Sequence, residues 1–145
     1  LASPHDADAE LIDTLFGELE RHGVDFTGFF RALATLLRGD AAAMETLLPE
    51  PEAMAPWIAG WWAELEREDI HPRERADAMD AVNPLYIPRN HKVEEALAAA
   101  EAGNFAPFHA LLEVVRHPFA ERAEWAAYAG PAPAEAAPYV TFCGT

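Results

Sequence analysis

The chain has 145 residues, 51% of them apolar, and ten Lys and Arg stand against 25 Asp and Glu for a formal charge of −15. That apolar share argues for a packed core rather than disorder, and the charge argues against nucleic acid or anionic membranes as partners, because such binding comes from neutralising phosphates and releasing counterions. One cysteine, Cys143, excludes an internal disulfide framework. No apolar run nears the roughly 18 residues of a membrane span. No signal peptide is visible, so the expected setting is soluble and cytoplasmic.

The elements read as helix after helix. Leu11, Ile12, Leu15, Phe16 and Leu19 recur at the 3.6-residue period and predict a first helix that stops at Gly23. Thr27 is placed to cap a second, which turns Phe29, Phe30, Leu33, Leu36 and Leu37 inward and ends at Gly39. Asp40 can cap a short third helix through Leu48. Pro51 to about Glu68 is the most apolar stretch, with Met54, Trp57, Ile58, Trp61, Trp62 and Leu65 in one stripe and Pro56 near its start.

Pro72 opens a helix to Val82, which Asn83-Pro84 ends, because the residue before proline avoids helical angles. Leu85 to Arg89 is extended. Asn90 can cap a helix to about Ala102, stopped by Gly103. Ala106 to Arg116 forms another, with Phe108, Leu111, Leu112 and Val115 inward and Pro118 closing it. These elements predict an all-α fold, a bundle or array of six to seven helices over residues 1–130, with an irregular proline-rich tail over 131–145. The breaks at Pro49-Pro51 and Asn83-Pro88 read as turns inside one domain.

The residues that invite chemistry have simpler readings beside them. Six histidines (His5, His22, His71, His91, His109 and His117) include no pair at the i, i+4 spacing of a helical metal site and no His-Glu-x-x-His, so no metal site is expected. Glu64 and Glu68 share a helix face and read as a solvated helix end rather than a hydrolytic pair. Trp57, Trp61 and Trp62 read as core rather than a stacking platform. The eight scattered glycines make no phosphate loop, and Ser3, the single serine, sits in no nucleophile elbow. No catalytic, cofactor-binding or metal-binding residue is therefore expected.

Two segments look more specified. In the run from Asn83 and Pro84 through Tyr86 to Arg89 and Asn90, Asn before Pro suits a turn, and Arg89 offers a planar fork for a carboxylate or for helix carbonyls. Cys143, next to Gly144 near the end of the chain, is an accessible thiol with no neighbour that favours its thiolate.

These residues carry a resemblance. Asn83-Pro84-Leu85-Tyr86-Ile87-Pro88-Arg89-Asn90, then Gly103-Asn104-Phe105, Leu111-Leu112-Glu113, Arg116-His117-Pro118-Phe119 and the closing Thr141-Phe142-Cys143-Gly144-Thr145 resemble the C-terminal region of the selenoprotein O family. Upstream, Val24-Asp25-Phe26-Thr27-x-Phe29-Phe30-Arg31 is similar to the family's Asp-Tyr-Thr-x-x-Phe-Arg stretch, with Phe26 where Tyr is common. The resemblance implies a parent with a protein-kinase-like fold that uses ATP and a divalent metal, Mg or Mn, to transfer AMP to Ser, Thr or Tyr hydroxyls of proteins. Its nucleotide loop, lysine and metal-binding residues would lie in a preceding kinase-like core, and none of them is carried over to this chain. The family's C-terminal selenocysteine or cysteine corresponds to Cys143, which implies a redox role with a partner cysteine outside this chain.

Two readings follow. In the first, the chain is a helical segment that rests on the missing core of its own protein, and the apolar face left open is also where fragments would pair. Leu1 in place of Met fits that reading. In the second, it is a stand-alone acidic helical module that binds a protein partner through its tryptophan-bearing helix.

Overall fold

A computed structural model describes residues 6–133, and side chains from Ala9 onward. Among the described residues it holds seven α-helices, one short 3-10 helix and no strand. The all-α expectation is met. The chain divides at Asn83/Pro84 into two compact units, at the step that the sequence presents as a turn.

The first unit is built from α1 (Asp6–Arg21), α2 (Phe26–Leu37), α3 (Ala42–Leu47), α4 (Pro51–Leu65) and α5 (Pro72–Val82). Helix α2 is its centre, in contact with α3 and α5, while α1 lies against α4. Leu15 and Leu19 of α1, Phe29 and Leu33 of α2, Met44 of α3, and Met54 and Trp57 of α4 form one buried cluster. Phe29 is fully buried, and its ring meets Phe30 and Trp57 edge-on at 5.8 and 5.6 Å. The Trp57 indole N–H donates to the Leu11 carbonyl at 2.8 Å, so the one polar atom of this ring enters the core with its bond made. A Cβ on Gly60 would stand 3.4 Å from Leu11, which marks how closely α4 approaches α1.

The termini show why these segments are helices of these lengths. Gly23 and Gly39 sit at φ of 60° and 91°, angles that an L side chain resists, and each follows a helix end. Helix α2 is capped by Asp25, not by Thr27: the Asp25 carboxylate accepts from the Gly28 N–H at 2.8 Å, and Thr27 lies one residue inside the helix. Gly28 permits this closeness, because a Cβ there would stand 2.7 Å from the carboxylate. The capping position of α3 is Ala41 rather than Asp40, which stands one residue earlier and accepts from the Ala42 N–H at 3.0 Å. Replacement of Asp25 by Ala is expected to cost about 1 kcal/mol, the usual worth of such a cap, read as a lower denaturation midpoint of the first unit.

The second unit comprises the extended segment after Pro84, α6 (Asn90–Glu101), α7 (Ala106–Arg116) and the 3-10 helix Ala123–Tyr128. Helices α6 and α7 pair as a hairpin, and the 3-10 helix lies on α7. Two sequence expectations need correction here. Asn90 is the first helical residue rather than the cap; the capping position is Arg89, whose side chain makes no cap bond to the helix. On α7 the buried residues are Leu111 and Val114, while Phe108 and Leu112 are 42% and 36% exposed. Two helices and a short turn supply too little surface to cover the whole apolar stripe, so one edge stays open.

Candidate functional site

The most specified segment of the sequence becomes a rigid strap across the second unit. Leu85 and Tyr86 both donate their backbone N–H to the Pro118 carbonyl, at 2.7 and 3.2 Å. Tyr86 is 2% exposed. Its hydroxyl accepts from the Arg122 N–H and donates to the Arg122 carbonyl, both at 3.2 Å, and its ring meets Trp125 edge-on at 5.6 Å. The Arg122 guanidinium lies over the opposite partner of that pair, 4.2 Å from the Trp125 ring centroid. Arg89 donates from Nη2 to the Ala129 carbonyl at 2.8 Å, just past the end of the 3-10 helix. This contact is one of the two roles open to its fork. Pro84 and Pro88 bracket Tyr86 and hold the strap out of helix.

Asn83 belongs to the other side of that boundary. Its backbone and side-chain N–H groups both donate to the Met79 carbonyl at 2.9 Å and close the last turn of α5. The structure thus brings Tyr86 and Arg89 together on one anchoring surface and gives Asn83 a capping task in the first unit. Cys143 and His5 lie outside the described residues.

A second constellation escaped the sequence reading. Arg31 of α2 and Arg38, the residue that closes that helix, meet Asp77 and Asp80 of α5. Arg31 Nη1 stands 3.0 Å from Asp80 Oδ1, and Arg38 Nη2 stands 2.7 Å from both Asp77 Oδ1 and Asp80 Oδ2. The hydrogen bond that Arg38 donates to Asp77 raises the guanidinium pKa above its usual range; burial opposes this, and Asp80 adds to it. The i, i+7 and i, i+3 spacings were visible in the sequence. What was not visible is that α2 and α5, some forty residues apart, face each other.

The remaining candidates have ordinary partners. Glu64 pairs with Arg67 and Glu68 with Arg75, so each of the two carboxylates considered as a hydrolytic pair has an arginine partner of its own. His71 caps α5 by accepting from the Arg73 N–H at 3.2 Å, His22 sits 3.3 Å from Glu18, and His117 Nδ1 lies 3.0 Å from the Glu113 carbonyl. Among the described residues no three His, Cys, Asp or Glu side chains gather into a metal-binding set. Trp57 is buried, and Trp61 and Trp62 are half-buried against the core. No described helix is long and apolar enough to cross a membrane.

What remains open is apolar. In the first unit Ile12, Phe16 and Phe26 are each about half exposed, with the Phe16 and Phe26 rings stacked at 6.0 Å. In the second, Pro88, Val93, Ala96 and Leu97 face Phe108, Leu111, Leu112 and Val115 across a groove of about 160 Å³.

Comparison with known proteins gives this arrangement a context. The family model described as protein adenylyltransferase SelO matches residues 2–116. The chain is 69% identical over 138 residues to a protein nucleotidyltransferase YdiU of Sphingopyxis alaskensis, an alignment that takes in 95% of this chain and 28% of that protein. A protein of the same description from Rhodococcus jostii is 50% identical over 139 residues, with 95% of this chain and 27% of that protein covered. One from Rhizobium leguminosarum bv. trifolii is 44% identical over 149 residues, covering 100% of this chain and 30% of the relative. The chain thus spans less than a third of the length of these relatives.

Proposed function

The chain belongs to the protein adenylyltransferase SelO family, and we propose that it is the C-terminal helical portion of a longer, cytoplasmic protein nucleotidyltransferase. The observation that carries the proposal is the 69% identity to a protein named as a nucleotidyltransferase, over nearly all of this chain and little more than a quarter of that protein. In this reading the parent uses ATP with Mg or Mn to place AMP on Ser, Thr or Tyr hydroxyls of protein substrates, and this portion supports the fold of the parent. Cys143 would serve as its redox-sensitive terminus, paired with a cysteine outside this chain.

Among the described residues no three His, Cys, Asp or Glu gather into a metal-binding set, and Arg31 and Arg38 meet carboxylates of α5. In this reading the catalytic steps belong to the part of the parent that this chain does not span. Arg31, Arg38, Tyr86 and Arg89 hold helices and straps together; they are positioning residues for the fold.

The division of labour has a direct test. Calorimetric titration of the 145-residue chain with Mg-ATP is expected to give no binding at micromolar concentrations, while the full-length parent binds Mg-ATP and transfers labelled AMP to protein. Micromolar Mg-ATP binding by the chain alone would reject the division. Absence of AMP transfer by the parent would reject the activity.

A further inference from the structure

The open edge of the second unit has the shape of an unfinished helical bundle. Val93 and Leu97 on α6 are one turn apart, as are Phe108, Leu112 and Val115 along α7, so two apolar stripes run side by side with a trough between them. Leu97, Phe108 and Leu112 are 46%, 42% and 36% exposed, large side chains left half in water on one concave surface. The trough volume of about 160 Å³ is comparable to the roughly 150 Å³ that accepts a benzene ring, enough for a leucine or phenylalanine knob. Grooves of this form take an amphipathic helix through side chains at i, i+3, i+4 and i+7.

Charge narrows the occupant further. Glu94 follows Val93, Glu101 lies one turn beyond Leu97 and Glu113 follows Leu112, all three exposed, against one exposed cation, Arg116, which follows Val115. Lys92 is already paired with Glu95 on the same helix. A helix with acidic flanks would be repelled, and one with Lys or Arg beside its apolar stripe would be attracted. The source is also narrowed: relatives that match nearly the whole of this chain are more than three times as long as the matched segment, so most of the family's polypeptide is available to supply such a helix.

We propose that the α6–α7 groove seats a third, amphipathic helix with an aliphatic stripe and basic flanks, supplied by the part of the parent polypeptide that this chain does not span. The proposal rests on the reading of the chain as a portion of a longer nucleotidyltransferase. It adds which surface docks and what chemistry the docking element has.

The test compares hydrogen exchange at α6 and α7 in the 145-residue chain and in the full-length parent. The amides of both helices are expected to exchange at least tenfold more slowly in the parent. Leu112→Glu, at an exposed position, is expected to leave the melting of the isolated chain unchanged and to abolish the added protection in the parent. Ile12→Glu, on the other apolar patch, is expected to leave that protection in place. Equal exchange in the two proteins, or protection that survives Leu112→Glu, would overturn the proposal. A second arm uses an 18-residue leucine/lysine amphipathic peptide and an order-scrambled peptide of the same composition against the isolated chain. Binding by the ordered peptide that weakens at least tenfold with Leu112→Glu supports the groove, and equal binding of the scrambled peptide refutes it. The AMP-transfer assay reports separately on the parent's activity, so an inactive parent with protected helices would sink the functional reading and leave the groove assignment standing.

Discussion

Replacing Phe29 with alanine is expected to destabilise the first unit by about 3–5 kcal/mol, the usual cost of emptying a fully buried aromatic site. The position is severe because three effects coincide. The ring is inaccessible to solvent, so the whole transfer free energy is lost. Its edge-on contacts with Phe30 and Trp57 disappear, each worth about 0.5–1.5 kcal/mol beyond burial. The cavity would open at the centre of α2, which is pinned to α5 by Arg31 and Arg38 and so cannot shift to fill it. Urea denaturation followed by tryptophan fluorescence should show a lower midpoint with an unchanged slope. A loss below about 1 kcal/mol would mean that the core around Phe29 relaxes freely.

The second large effect is expected at Tyr86, and two variants separate its parts. Tyr86→Phe keeps the ring but removes the hydroxyl that accepts from the Arg122 N–H and shares the Arg122 carbonyl with the Trp125 N–H. It is expected to cost about 0.5–1.5 kcal/mol, the net worth of an intramolecular hydrogen bond, because Arg122 is exposed and its carbonyl keeps a partner. Tyr86→Ala also loses the ring and its contact with Trp125, for about 3–5 kcal/mol. A unit of about sixty residues holds on the order of 3–9 kcal/mol in all, so the alanine variant should leave the second unit largely unfolded on its own. Near-ultraviolet circular dichroism and exchange of the α6 and α7 amides would read this, with the first unit as an internal control. Equal effects of the two variants would show that the hydroxyl, not the ring, anchors the strap.

Much of the helical plan could be read from the sequence because it rests on local physics. Periodicity, glycine stops and helix-opening prolines act within a few residues, and α5 and α7 begin and end where the sequence places them. The misreadings share one cause. Thr27 and Asp25 are both good capping residues two positions apart, and the one that wins does so because Gly28 lets its carboxylate close on the backbone. Phe108 and Leu112 have the spacing of core residues; whether they are covered depends on how much surface other elements bring, which no window of sequence contains. The Arg31–Asp80 and Arg38–Asp77 pairs join residues 49 and 39 positions apart. For the site, the sequence singled out Tyr86 and Arg89 but not their partners, Arg122 and Ala129, which come from beyond α7.

The engagement of the cations has a consequence at long range. Among the described residues, Arg21, Arg31, Arg38, Arg67, Arg75 and Lys92 meet carboxylates of the chain, Arg89 meets a carbonyl and Arg122 lies over an indole ring. A formal charge of −15 favours the approach of a cationic surface over an anionic one, and salt confines that preference to about the 8 Å of a Debye length at physiological strength.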